Sequence, residues 1–190
     1  MVRVNIFTDS ILVDNFFNPE VDEEILKVLS KEEEKDQLIC RSNIGGFQTD
    51  SINNETIGIN ILKKSVKVLS DNYRLKIKTN FELKNLWINK NYKHNFNVNH
   101  VHPGSNFSGV YYLEVTQEDG ELVFLRNDTA ASFNSCCDFI DDQNFSNFFT
   151  VKPKKNMLVL FPSHLNHFVK PHNEDISRIS VSFNIGLING

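Results

Sequence analysis

Arg178-Ile179-Ser180-Val181-Ser182-Phe183-Asn184-Ile185 alternates polar and apolar residues without a break. Successive side chains of an extended strand point to opposite faces, so Arg178, Ser180, Ser182 and Asn184 share one face. Ile179, Val181, Phe183 and Ile185 share the other, which is the face that a core covers. Upstream, Met157-Leu158-Val159-Leu160-Phe161-Pro162 reads as a buried strand, and His167 follows it. Further back lies Asn99-His100-Val101-His102-Pro103, two histidines one residue apart. On a strand their imidazoles leave from the same side. Three histidines and an arginine brought to one side of a sheet suit a metal site with an anion pocket beside it.

Around these segments the pattern is of short strands. Residues 81–88, 96–100, 108–115, 121–125, 148–151, 157–161, 166–169 and 177–185 carry it, about eight strands separated by turn signals. The expected fold is mainly β, a sandwich or jelly roll, with helices confined to the N-terminal part. In that part residues 3–8 read as a strand. Residues 14–35 read as a helix with a Val21, Ile25, Leu26, Val28 and Leu29 stripe and acidic residues in its first turn. Residues 54–73 read as a second amphipathic helix through Ile57, Ile59, Ile61, Leu62, Val66 and Leu69. The segment holding Gly45-Gly46 reads as a loop, and the polar stretch 126–147 as the longest one. The expected organisation is one domain over 1–190, a helical support region (1–80) followed by a jelly-roll core (81–190).

Bulk properties exclude some classes. The 190 residues are 40% hydrophobic and 23% charged, ordinary for a globular domain. A net charge of −4 argues against binding nucleic acid by phosphate neutralisation. No apolar run nears the roughly 20 residues a bilayer span requires, so no membrane partner is expected. The start Met1-Val2-Arg3-Val4-Asn5 lacks a secretory apolar segment, which makes the cytoplasm the default location. Cys40, Cys136 and Cys137 lack CxxC spacing and read as reduced thiols.

Imidazole suits iron, zinc, copper and nickel, so the histidines alone do not choose the metal. His94, His164 and His172 lie in turn-like surroundings, and His164 competes with His167 because both follow Phe161-Pro162-Ser163. Read alone, Tyr112 is a core aromatic. Arg178, opening a polar strand face, fits a bidentate carboxylate clamp better than a surface ion pair.

The segments His100-Val101-His102-Pro103-Gly104-Ser105-Asn106-Phe107-Ser108-Gly109-Val110-Tyr111-Tyr112-Leu113, Leu160-Phe161-Pro162-Ser163-His164-Leu165-Asn166-His167 and Arg178-Ile179-Ser180-Val181-Ser182-Phe183-Asn184 resemble the 2-oxoglutarate–Fe(II) oxygenases of marine bacteria and their phages, within the prolyl-hydroxylase-like superfamily. Ser42-Asn43-Ile44-Gly45-Gly46-Phe47-Gln48 resembles that group's N-terminal signature. The resemblance implies a double-stranded β-helix (jelly roll) with helices packed on one sheet. It implies that His100 and His167 ligate Fe(II), that Arg178 pairs with the far carboxylate of 2-oxoglutarate, and that the Tyr112 hydroxyl donates to the same group. Ser180, on the Arg178 face, is a candidate further donor. Position 102 is histidine where most of the superfamily has aspartate, so a three-histidine shell of His100, His102 and His167 is the preferred reading. The alternatives are an unligated His102 or a carboxylate from Glu114.

The implied activity is that of an Fe(II)- and 2-oxoglutarate-dependent dioxygenase, an oxidoreductase. It would couple oxidative decarboxylation of 2-oxoglutarate to succinate with C–H oxidation of a substrate the sequence does not identify, hydroxylation being the expected outcome. O2 is the second co-substrate and ascorbate a candidate reductant. If the gene belongs to a phage, the location becomes the host cytoplasm. Phe133, Phe139 and Phe145 of the long loop are candidates to close over the substrate, and the helical layer is a candidate homodimer surface. The competing reading is a zinc-binding jelly roll without oxygenase activity, since three neutral imidazoles also suit zinc.

Overall fold

The computed structural model describes residues 9–35, 41–75, 79–116, 120–126 and 146–189. The strand expected at 3–8, the three cysteines and the three loop phenylalanines lie outside the described residues. Among those described, eleven strands and two helices run in the order β1 (Leu12–Asn15), α1 (Pro19–Glu33), β2 (Asn43–Ile44), β3 (Phe47–Gln48), α2 (Glu55–Asn72), β4 (Thr79–Asn91), β5 (Phe96–His100), β6 (Phe107–Glu114), β7 (Leu122–Leu125), β8 (Phe148–Val151), β9 (Met157–Pro162), β10 (His167–Val169) and β11 (Arg178–Asn189).

They form two antiparallel sheets. One has six strands in the order β1-β9-β6-β11-β4-β3, the other five in the order β2-β5-β10-β7-β8. This is the jelly-roll architecture that the strand pattern called for, with the helices on one sheet. Strands β4 and β11 are longer than expected because they pair with each other from Arg178↔Asn91 to Asn189↔Thr79.

The first helix starts later than its apolar stripe suggests. Residues 14 and 15 belong to β1, where Asp14 faces Leu158 and Asn15 faces Met157. Helix α1 begins at Pro19, a residue suited to a first helical position, and Asn18 caps it by accepting the Val21 amide at 3.3 Å. Val21, Ile25 and Leu29, four residues apart, form its buried edge. Helix α2 is capped in the same way by Asn54, which accepts from the Ile57 amide at 3.0 Å.

Both helices cover the outer face of the six-stranded sheet. Val21, Ile25, Ile57 and Ile61 pack there against Leu86, Ile88, Tyr111, Ile179, Val181, Phe183 and Ile185. Tyr111 ties the two layers together by donating to Asp22 at 2.5 Å. A second core lies between the sheets, built from Val110, Tyr112, Leu122, Phe124, Val159 and Phe161. The tyrosine pair therefore splits as alternation requires, Tyr111 outward to the helices and Tyr112 inward. The inner face of β11 carries the polar set Arg178, Ser180 and Ser182 into the space between the sheets.

Candidate metal centre and anion pocket

His100 closes β5 and His167 opens β10, and antiparallel register sets the two directly opposite each other. His102 comes from the turn just beyond β5, its amide donating to the Ser163 carbonyl at 3.0 Å. The ring centroids lie 4.3 Å apart for His100 and His167, 4.9 Å for His100 and His102, and 5.1 Å for His102 and His167. One potential ligand atom from each ring lies within 4.8 Å of the others, the one such group of three among the described residues. The Nε2 atoms of His102 and His167 are 3.3 Å apart. Two nitrogens each about 2.0–2.1 Å from a single ion have a separation close to that.

Backbone carbonyls orient two of the rings. His100 Nδ1 donates to the Val98 carbonyl at 2.7 Å, and His167 Nδ1 to the Leu165 carbonyl at 2.9 Å. Each bond fixes the tautomer that leaves the Nε2 lone pair toward the cluster. Burial lowers all three pKa values below the ordinary histidine value, and the neighbouring imidazoles add to the effect for two of them. His102 falls to about 4 and His167 to about 3, so both are neutral lone-pair donors at pH 7. Phe161 and Phe124 wall His167 on the apolar side, with centroids at 4.7 and 5.9 Å, and Trp87 lies against His102 at 5.8 Å. This neutral nitrogen donor set fits a divalent transition metal of the iron–zinc range.

The other histidines stay out of the cluster. His164 is exposed and lies 3.1 Å from Asp9, outside the three-histidine group that includes His167. His172 is buried but turns Nε2 to the Ile176 carbonyl at 2.6 Å, and His94 sits at positive φ in a turn. Glu114 does not join the ligand group.

Next to the histidines is a narrow cavity of about 50 Å³, partly open to solvent, which Tyr112, Arg178 and Ser180 line together. Ser180 and Tyr112 are cross-strand partners on β11 and β6. Arg178 is only 2% exposed, and its guanidinium donates from Nη1 to the Gly120 carbonyl at 2.8 Å and from Nη2 to Asn91 Oδ1 at 3.0 Å. Both acceptors are neutral. Burial raises the Tyr112 pKa to about 12, against the opposing pull of the Arg178 charge, so its hydroxyl keeps its proton. A cation and a neutral hydroxyl donor on one wall are equipped to receive a carboxylate.

Three features escaped the sequence reading. Trp87 and Asn89 line the cavity from β4, and Asn91 holds the guanidinium. No alternation marks them, because the apolar run Leu86-Trp87-Ile88 is followed by the polar run Asn89-Lys90-Asn91. Gly120 has φ +61°, and an added Cβ there would lie 1.6 Å from Arg178 Nη1, a close approach that no composition rule reveals. A wider opening of about 470 Å³ adjoins His100 and His102, with Trp87, Gln48, Asn85 and Asn184 on its wall. The 126–147 segment expected to cover it lies largely outside the described residues.

A family model described as "Putative 2OG-Fe(II) oxygenase" matches residues 85–184, a span that holds every residue of the cluster and the anion wall. No curated protein sequence matches the chain. Among solved structures, the chain is similar to a 2OG-Fe(II) oxygenase family oxidoreductase from Burkholderia pseudomallei (14% identity, 95% of this chain and 85% of that one, TM-score 0.62). It is similar to a Pseudomonas putida prolyl-4-hydroxylase (16% identity, 93% of each chain, TM-score 0.61). A viral collagen prolyl hydroxylase from Paramecium Bursaria Chlorella virus-1, solved as a 2OG complex, aligns at 17% identity over 92% of this chain and 94% of that one, with a TM-score of 0.57. At such identities the likeness to these structures is one of fold.

Proposed function

The chain belongs to the 2OG-Fe(II) oxygenase family, and from that premise we propose that His100, His102 and His167 hold its iron while Arg178, Tyr112 and Ser180 receive the far carboxylate of 2-oxoglutarate. The enzyme is thus a 2-oxoglutarate-dependent oxygenase, an oxidoreductase. The observation that carries the site assignment is the convergence of three neutral imidazoles beside a buried guanidinium in one cavity.

Iron, when bound, would supply the redox chemistry by which O2 is consumed, one oxygen atom going to succinate as 2-oxoglutarate loses CO2 and the other to the oxidised substrate C–H bond. The protein's own work is positional. His100 and His167 present Nε2 because their Nδ1 protons are committed to backbone carbonyls. Three neutral ligands would leave the charge of a divalent ion undiminished, which would favour a dianionic co-substrate over what a carboxylate ligand at 102 would allow. Arg178 orients the far carboxylate with charge-assisted hydrogen bonds, and Tyr112 and Ser180 add neutral donors from the same wall. Val110, Leu122 and Phe161 keep that end of the cavity dry, which strengthens those bonds. The primary substrate approaches by the wider opening past Trp87, and its hydroxylation is the outcome we assign. The site works within a single domain spanning 1–190.

Zinc is the competing occupant for three imidazoles. One assay separates the readings: purified protein with Fe(II), ascorbate and 2-oxoglutarate, followed for succinate. Succinate that disappears in Arg178→Ala and His167→Ala variants supports the oxygenase site. No succinate, together with no affinity of the anaerobic Fe(II) protein for 2-oxoglutarate, would move the assignment to a zinc-binding jelly roll.

A further inference from the structure

On the premise that the primary substrate enters past Trp87, we infer that it is an uncharged saccharide, one ring stacked on that indole and held at its rim by the carboxamides of Gln48 and Asn85. Trp87 stands on the inner face of β4, with Asn85 two residues before it and Asn89 two residues after. Gln48 faces Asn89 across the β3–β4 pair, so a carboxamide rises on either side of the indole. Gln48 is 3% exposed, yet its side chain bonds none of the described residues. A buried carboxamide without partners is costly. This one stands on the wall of the opening, where an incoming molecule can satisfy both its donor and its acceptor.

Asn85 is aimed by a chain of bonds. Its Oδ1 accepts from Asn184 Nδ2 at 2.7 Å, Asn184 Oδ1 accepts from Ser108 Oγ at 2.7 Å, and the Ser108 and Ser163 hydroxyls bond at 2.8 Å. Asn184, Ser108 and Ser163 are all buried. The chain commits the Asn85 oxygen and leaves Nδ2 as a donor on the wall of the opening. At its far end the Ser163 carbonyl accepts the His102 amide at 3.0 Å, so the same chain sets this donor relative to the histidine cluster. The Trp87 and His102 ring centroids lie 5.8 Å apart, which places a ring stacked on the indole beside that cluster.

A pyranose has apolar C–H faces and a rim of hydroxyls, each both donor and acceptor. An indole floor flanked by carboxamides matches that distribution, the floor covering a ring face and the amides reaching the hydroxyls. An extended peptide is instead taken up by main-chain bonds along a strand edge, whereas the groups offered here are side chains on the face of a sheet. A nucleic acid strand calls for cations along its phosphates. The one charged side chain among the described residues of the opening, Arg41, is paired with Asp50 at 3.1 Å.

Trp87 is the only tryptophan of the chain, so its fluorescence reports the opening directly. The test titrates the full chain under argon, with Fe(II) and 2-oxoglutarate and again without them. The probes are methyl glycosides of glucose, galactose, mannose and N-acetylglucosamine with trisaccharides built from them, an acetylated proline-rich peptide, and thymidine. A saturable emission shift is expected with at least one saccharide and with neither of the other two. Gln48→Met and Asn85→Leu, which keep the volume and remove the amide, should each weaken that saccharide about fivefold to tenfold; the first carries the test if the second does not fold. In turnover the same saccharide should raise succinate formation above that with 2-oxoglutarate alone. No shift from any saccharide, a shift from the peptide or thymidine instead, or unchanged affinity in both variants would overturn the inference. Failure of the oxygenase reading looks different: a saccharide that binds to a protein forming no succinate would keep the sugar site and sink the oxygenase assignment.

Discussion

Replacing Gly120 by alanine tests the anion wall through a residue that contributes no polar side chain to it. An alanine Cβ would lie 1.6 Å from Arg178 Nη1 and 2.7 Å from Cζ, well inside any tolerable contact. Gly120 also holds φ +61°, a region that costs an L-residue roughly 1–2 kcal/mol. The guanidinium has to leave, and its bonds to the Gly120 carbonyl and to Asn91 are lost or re-formed elsewhere. Hydrogen bonds to a charged group contribute about 1.5–3 kcal/mol each, and the displaced arginine can recover part of this in solvent. The expected loss of stability is about 2–4 kcal/mol. The loss of 2-oxoglutarate affinity should be roughly 30- to 100-fold, the equivalent of one charge-assisted bond. Chemical denaturation would read the first quantity, and KM for 2-oxoglutarate with a calorimetric Kd the second. A folded Gly120→Ala protein that binds 2-oxoglutarate within twofold of the parent would refute the placement of the far carboxylate at Arg178.

Tyr112→Phe keeps the inner core filled and removes only the hydroxyl, so KM for 2-oxoglutarate should rise about fivefold to tenfold with little change in melting temperature. An unaltered KM would assign Tyr112 to packing alone. His102→Ala should lower Fe(II) affinity by at least about tenfold, measured by competition with a chromogenic chelator; equal affinity would leave His102 outside the ligand set. The metal-free protein should lose stability as pH falls. His102 and His167 have folded pKa values of about 4 and about 3 against the ordinary 6.5, so the unfolded chain binds more protons throughout that interval. Stability should therefore hold above pH 6.5 and decline from there toward pH 4, and a triple alanine variant of the cluster should flatten the decline. Melting curves from pH 7.5 to 4.5 that coincide for the two proteins would contradict the burial of neutral imidazoles.

What was legible in the sequence was what period-two alternation encodes. The β11 face and the split of Tyr111 from Tyr112 follow from which way successive strand residues point, and the structure keeps both; His100 and His102 do meet, but His102 reaches the cluster from the turn beyond β5 and not from the strand face that alternation suggested. The choice of His167 over His164 needed the resemblance, because spacing from the Phe161 turn allowed either. The start of α1 was misread because Asp14 and Asn15 extend the helical stripe backwards while a tertiary pairing, with Leu158 and Met157, claims them for a strand. The Asn18-Pro19 cap was the local signal against that reading. The support of Arg178 was not legible at all. It includes Asn91 and Gly120, distant in sequence and joined to Arg178 only by strand register and by the space that a missing Cβ leaves.

The most direct measurement is an anaerobic crystal structure of the Fe(II)-loaded protein with an inert 2-oxoglutarate analogue, using anomalous scattering to locate the iron. The account predicts one iron peak within bonding distance of Nε2 of His100, His102 and His167, with the analogue's far carboxylate on the Arg178 guanidinium and the Tyr112 hydroxyl. Iron outside the three-imidazole cluster, or a far carboxylate turned away from Arg178 into solvent, would contradict it.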